Sequence, residues 1–193
     1  MSAIKKQLWM LAGGNGAGKS TFYRTQLEPK GVEFVNADII EKQLDLAASE
    51  KPSYQAATVA RWKFGTLVDE GRSFCFETVF SHESKLDLIK MAQDNGYVVT
   101  LVFVHLKNPQ LNQLRVKQRM SEGGHWVPPE KIATRIERAL KLMQAAVKMA
   151  DRCYLLDNSS RANPFRQIAV TAGTQINRLE DPLPVWAKEI LLE

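Results

Sequence analysis

The apolar positions of this chain change period several times, and each change marks an element. Residues 8–12, Leu-Trp-Met-Leu-Ala, form an unbroken apolar run that stops at Gly13-Gly14, the pattern of a strand buried on both faces. A helix-compatible stretch follows over 19–26. A second short strand fits 32–36 and ends at Ala37-Asp38, while 39–71 has helical spacing interrupted at Lys51-Pro52-Ser53, which predicts two helices. Residues 73–77 and 97–105 are rich in aromatic and β-branched side chains; a helix over 83–93 lies between them, with Asn95-Gly96 as its stop. After Asn108-Pro109 an Arg-rich helix is predicted to about Ser121. The stretch Gly123-Gly124-His125-Trp126-Val127-Pro128-Pro129 breaks it, and a long helix follows over 129–149. Residues 153–156 read as a fifth strand, 167–171 as a weaker sixth, and 185–192 as a closing helix after Pro182 and Pro184.

Strands alternating with helices predict an α/β sandwich of three layers, with a mostly parallel sheet and ligands bound beyond the carboxyl ends of the strands. Asp38 and Glu77 fall at two such ends. With 193 residues, one domain spanning 1–193 is expected. The two cysteines, Cys75 and Cys153, sit in apolar runs and exclude a disulfide scaffold. A formal net charge of +5 favours anionic partners, nucleotides and nucleic acids alike. No apolar run approaches the roughly 18 residues of a membrane span or the core of a secretion signal, so a soluble, cytoplasmic protein without a membrane partner is expected.

The chemistry is carried by Gly13-Gly14-Asn15-Gly16-Ala17-Gly18-Lys19-Ser20, which matches G-x-x-x-x-G-K-[ST] between a predicted strand and a predicted helix. In such a phosphate-binding loop backbone N–H groups converge on phosphate oxygens at a helix N-terminus. Residues 13–21, with Thr21 as the last, would hold ATP; Lys19 would reach the β and γ phosphates, and Ser20 would ligate Mg²⁺. His and Cys with metal-ligand spacing are absent, so Mg²⁺ brought by the nucleotide is the metal inferred. A guanine-reading Asn-Lys-x-Asp element is missing, which weakens a switch GTPase. An apolar strand ending in Asp-Glu, as in motor and transporter ATPases, is missing too; its nearest imitation ends at Asp157, read as structural.

A small-molecule kinase needs a base beside the acceptor hydroxyl, positive charge over the transferring group and a lid that excludes water. Asp38 could face an acceptor opposite the phosphate loop, with N-capping as the bland alternative. Glu77 could bind an acceptor hydroxyl or a water on Mg²⁺. Arg115 and Arg119 lie one turn apart, and Arg135 and Arg138 lie beyond the Gly-Gly break, which suggests a helical lid over about 109–138. His125 and Trp126 could contact a sugar or base. The helices over about 39–71 would shape the acceptor site.

Taken in order, the phosphate loop, Phe34-Val35-Asn36-Ala37-Asp38, Phe76-Glu77-Thr78, Arg115-Val116 with Arg119, Gly123-Gly124-His125-x-Val127-Pro128 and Asp157-Asn158-Ser159 resemble the zeta toxin group of P-loop kinases over roughly 7–160. The resemblance implies a P-loop NTPase fold and transfer from ATP to a sugar hydroxyl of UDP-N-acetylglucosamine, with an antitoxin partner in some members. It further implies Asp38 as base, Glu77 as an acceptor-binding residue, Lys19 and Ser20 as the phosphate and Mg²⁺ contacts, and Arg119 and Arg135 as lid arginines; Asp38, Glu77, Thr78, Arg115 and His125 are the expected acceptor contacts. The chain is more compact than the larger toxins. Other acceptors (a nucleoside, a metabolite or an RNA end) and a nucleotide-binding regulator without transfer remain as alternatives, although nucleic acid is not the expected partner.

Overall fold

The computed structural model describes residues 5–44, 52–121 and 127–192. One seven-stranded sheet with the order β2-β3-β1-β4-β5-β6-β7 organises them. Its strands are β1 Gln7–Ala12, β2 Glu33–Val35, β3 Phe74–Thr78, β4 Val98–His105, β5 Arg152–Asp157, β6 Arg166–Ala172 and β7 Gln175–Arg178. The first five pair in parallel, and β6 and β7 are antiparallel additions at one edge. Because β1 is flanked by β3 on one side and β4 on the other, the chain reverses its winding there. The carboxyl end of β1 therefore opens into the crevice where such sheets bind ligands.

The alternation along each strand divides two cores. Leu8, Met10 and Ala12 of β1, with Val99, Leu101 and Phe103 of β4, pack on the side of α3 (Pro52–Asp69), α4 (Ser84–Asp94), α6 (Pro129–Met149) and α7 (Val185–Leu191). Leu11, Cys75, Val102, Val104 and Leu156 face the opposite way, against Tyr23 and Leu27. The result is three layers around a mostly parallel sheet, as the sequence pattern predicts. Phe64 of α3 sits edge-on to both Phe74 and Phe76, with ring centroids 5.2 Å apart in each case, so α3 is anchored directly on the strand that carries Glu77.

Two features depart from the expected pattern. The predicted helix over 19–26 is α-helical only in α1, Lys19–Phe22; it widens into a π-turn over Tyr23–Leu27 and tightens into a 3₁₀ turn over Glu28–Lys30. Tyr23 accounts for the widening, since its ring stacks on Phe34 at 3.9 Å and its hydroxyl donates to the Val32 carbonyl at 2.7 Å. The second is β7, whose four residues are all exposed and carry no periodic apolar signal. It is brought back by the two-residue turn Gly173-Thr174, in which Gly173 takes φ 57°.

The break expected at 51–53 places Pro52 at the first position of α3, where its missing N–H costs nothing. The helix α2 spans Ala37–Gln43 and α5 spans Pro109–Ser121. Val116 of α5 packs with Val127, Ile132 and Ile136, which ties α5 to α6. The glycine break with His125 and Trp126 lies outside the described residues. No helix among the described residues is long and apolar enough to cross a membrane.

Candidate active site

The loop after β1 is pressed between neighbouring elements. Gly13 adopts φ 144°, and a Cβ there would overlap the Val104 carbonyl of β4; Gly18 adopts φ 105°, and a Cβ there would overlap the Asn158 side chain. Only glycine meets both demands. Two asparagines then fasten the loop, since Asn158 Nδ2 donates to the Ala17 carbonyl at 2.8 Å and Asn112 Nδ2 to the Asn15 carbonyl at 2.8 Å. Among the described residues no side chain caps the start of α1. The first N–H groups of α1 lack intrahelical acceptors by geometry, and they open onto the crevice.

Lys19 is buried and its Nζ donates to the carbonyls of Gly13 at 2.9 Å and Gly14 at 3.1 Å. The Glu77 carboxylate lies 3.6 Å from Lys19 through Oε1, and its Oε2 accepts a hydrogen bond from Ser20 Oγ at 2.8 Å. This contact follows from sheet register, because Glu77 pairs with Leu11, two residues before the loop begins. Asp38 stands on the first turn of α2. The capping position there belongs to Asn36, whose Oδ1 accepts from the Ile39 N–H at 3.0 Å. The bland role open to Asp38 is thus taken by a neighbour, and its carboxylate faces Arg119 instead, 3.7 Å from Nη2.

Arg119 Nε and Nη2 are themselves shielded from solvent and make no hydrogen bond among the described residues, although the rest of the side chain is exposed and Nη2 faces Asp38. Buried donors of this kind are costly unless an acceptor arrives. Arg135 reaches the loop through Asn15 Oδ1 at 3.5 Å. Arg115 donates to the Asn158 carbonyl at 3.0 Å, and burial together with the adjacent Arg161 lowers its pKa. Arg138 lines neither of the cavities described next.

Among the described residues, two cavities that adjoin the loop share part of their walls. The smaller, about 430 Å³, runs past Ser20 and Thr21 to Arg115, Asn158, Arg161 and Phe165. The larger, about 720 Å³, runs past Asp38 and Thr78 to α3, Lys85, Lys131 and Arg135. Gly16, Lys19, Glu77 and Arg119 line both, so these four mark where the cavities join. Thr78 shapes the larger wall through its Oγ1, which accepts from the Phe80 N–H at 3.0 Å while Phe80 adopts φ 62°, a strained conformation for an aromatic residue. Arg115, expected beside the acceptor, lines the smaller cavity.

Asp157 is held away from the loop by an ion pair to Arg166 at 3.2 Å and a hydrogen bond from the Ser159 N–H at 2.8 Å. Burial pushes its carboxyl up, but the hydrogen bonds from Ser159 and Arg166 outweigh that and its pKa is lowered. Sequence reasoning missed Asn112, Lys85, Lys131 and Phe165, which carry no motif. Among the described residues no group of three or more His, Cys, Asp or Glu side chains gathers to hold a metal. Ser20 Oγ and the Glu77 carboxylate are oxygen donors beside the loop that fit a divalent ion arriving with phosphate, and the Arg119 donors without a hydrogen bond among the described residues fit the anion itself.

Known proteins share this fold. The structure superposes on the AvrRxo1-ORF1:AvrRxo1-ORF2 complex with ATP with a TM-score of 0.71 at 17% identity, covering 92% of this chain and 61% of that one. The chain therefore spans less than two thirds of that relative. It also superposes on the PezAT chromosomal toxin-antitoxin system of Streptococcus pneumoniae with a TM-score of 0.65 at 17% identity, covering 81% of this chain and 69% of that one. A putative kinase from Chloroflexus aurantiacus gives a TM-score of 0.57 at 13% identity, with coverages of 70% and 80%. At these identities the likeness is one of fold alone. The AAA domain profile matches residues 8–149, from the strand before the phosphate loop to the end of α6, and the chain belongs to that family.

Proposed function

We propose that the protein is an ATP-dependent kinase that phosphorylates a hydroxyl of a small acceptor. The observation that carries this reading is the meeting of two cavities at Lys19, Glu77 and Arg119, beneath a phosphate-binding loop. ATP would lie in the smaller cavity with its phosphates over residues 13–21, and the acceptor in the larger one with its hydroxyl against Asp38. Asp38 would take the hydroxyl proton as general base, and Arg119 alongside would place positive charge on the transferring group. Lys19 would leave the Gly13 and Gly14 carbonyls for the β and γ phosphates, and Arg135 would add charge from α6. Mg²⁺ entering with the nucleotide would neutralise phosphate charge there. The hydrogen bond from Ser20 to Glu77 favours the metal side for this carboxylate over acceptor binding.

For the acceptor, the resemblance to zeta toxins favours the sugar of UDP-N-acetylglucosamine, and the structural likeness to a toxin-antitoxin system supports an antitoxin partner. The larger cavity carries five cationic side chains, Lys19, Lys85, Arg119, Lys131 and Arg135, which suits an anionic acceptor. Incubation with Mg-ATP and UDP-N-acetylglucosamine should give ADP and a product heavier by one phosphoryl group. If no such product forms over a long incubation, this acceptor is rejected. If a panel of sugars, nucleosides and metabolites also yields none while ATP is bound, the kinase reading is rejected with it.

A further inference from the structure

Asn112 is a polar side chain at a position that the core would otherwise fill. It sits on α5 with 2% of its surface exposed; its Nδ2 donates to the Asn15 carbonyl at 2.8 Å, while its Oδ1 has no hydrogen-bond partner among the described residues. A buried acceptor without a donor is a standing cost, which an apolar side chain of the same shape would avoid. What Asn112 adds against that cost is its contact with the phosphate loop. The helix lies on the loop at Gly16 as well, where an added Cβ would come within 2.6 Å of the Asn112 carbonyl, 3.3 Å of Val116 Cγ2 and 3.4 Å of Arg115 Cβ. The backbone of α5 thus rests directly on the loop.

Helical periodicity carries this contact on to the arginines. Residues 112, 115 and 119 are spaced i, i+3 and i+7 and so share one face of α5. Arg115 lines the smaller cavity and Arg119 lines both, so the way Asn112 seats the helix decides where the two guanidinium groups stand. Arg119 is about 10 Å along the axis from Asn112, far enough for a small tilt at the loop to move it by about 1 Å, a displacement that can cost about a hundredfold in rate. We propose that Asn112 is a positioning residue: it registers α5 on the phosphate loop and thereby holds Arg119 where charge develops during transfer. The role of Arg119 rests on the kinase reading, whereas the anchor concerns only the loop and α5. Asn15 is the shared footing, since its carbonyl holds α5 and its Oδ1 meets Arg135 of α6 at 3.5 Å.

The test variant is Asn112→Leu, which keeps the branching of the side chain and removes both the donor and the unpartnered acceptor. Calorimetry compares Mg-ADP alone with Mg-ADP plus aluminium fluoride, a mimic of the transferring phosphoryl group. The parent should gain at least about 100-fold in affinity with fluoride, the lower end for transition-state analogues. Asn112→Leu should weaken the fluoride complex by about tenfold, and Mg-ADP alone by clearly less. In an Arg119→Ala background it should cost nothing further, because both changes remove the same contact. Losses that add, or a loss for Mg-ADP as large as that with fluoride, overturn the positioning role. Amide hydrogen exchange separates the anchor from the chemistry. Binding of Mg²⁺ and a non-hydrolysable ATP analogue should slow exchange in both the phosphate loop and α5 of the parent, but only in the loop of Asn112→Leu. An α5 that responds alike in both proteins overturns the anchor. If the parent gains nothing with aluminium fluoride while its α5 responds as expected, the kinase reading falls and the anchor stands.

Discussion

Replacing Glu77 by glutamine isolates one interaction at the junction of the two cavities. The side chain keeps its shape and an oxygen for Ser20 Oγ, but loses the charge 3.6 Å from Lys19, in a pair whose side chains are only 6% and 11% exposed. Coulomb's law at an effective dielectric of about 20 makes the gross attraction about 5 kcal/mol. Part of that is recovered, because Lys19 retains the Gly13 and Gly14 carbonyls at 2.9 and 3.1 Å. A net loss of about 3 kcal/mol is expected, the lower end for breaking a buried pair, which for a chain this long lowers Tm by about 6–12 °C. Scanning calorimetry should show this deficit in the free protein. Saturating Mg-ATP should shrink it, since phosphate then takes over as the counter-charge to Lys19. A Tm drop under about 2 °C, well below the range set by that loss, or a deficit unchanged by nucleotide, would refute the reasoning.

Three further outcomes are expected. His105 is buried against Trp186 and Phe103, and burial lowers its pKa from 6.5 to about 4 although Asp157 pulls the other way. The unfolded chain therefore takes up the proton first, and the folded state should lose roughly 3 kcal/mol as pH falls through this window. Urea unfolding at pH 7 and pH 4.5 should show the loss, and His105→Phe, which preserves the stacking, should reduce it. Gly65 lies inside α3 with nothing within 4 Å of a Cβ, so Gly65→Ala should raise stability by about 1 kcal/mol in denaturant titration. Burial raises the pKa of both Cys75 and Cys153; neither should react with a thiol reagent such as DTNB until the protein is denatured.

The parallel half of the sheet was legible because its strands are buried on both faces and read as apolar runs, as at 8–12 and 97–105. The phosphate loop was legible because its glycines answer to backbone geometry fixed locally. Where tertiary contacts decide, the pattern was silent: β7 has no buried residue, and the π-turn after α1 depends on Tyr23 meeting Phe34. The same division runs through the site. Asp38 and Glu77 could be placed at strand ends from spacing alone, but the Ser20 contact of Glu77 arises from the register of β3 beside β1. That Asn36, rather than Asp38, caps α2 is a choice between two competent neighbours. Lys85 and Lys131 are ordinary helical lysines in sequence, and only the packing of α4 and α6 brings them to one cavity.

Nucleotide binding and phosphoryl transfer should separate at Asp38. Asp38→Asn keeps the side-chain volume beside Arg119 and removes both the ability to accept a proton and the charge that faces Arg119 at 3.7 Å. Measured on one preparation, Mg-ATP affinity should stay near the parent value by calorimetry. Formation of the phosphorylated acceptor, followed by mass spectrometry, should fall by about 10²–10⁴-fold, the usual share of a general base. Transfer at the parent rate, or a loss of ATP affinity as large as the loss of transfer, would contradict the assignment of the larger cavity as the place where the acceptor hydroxyl meets its base.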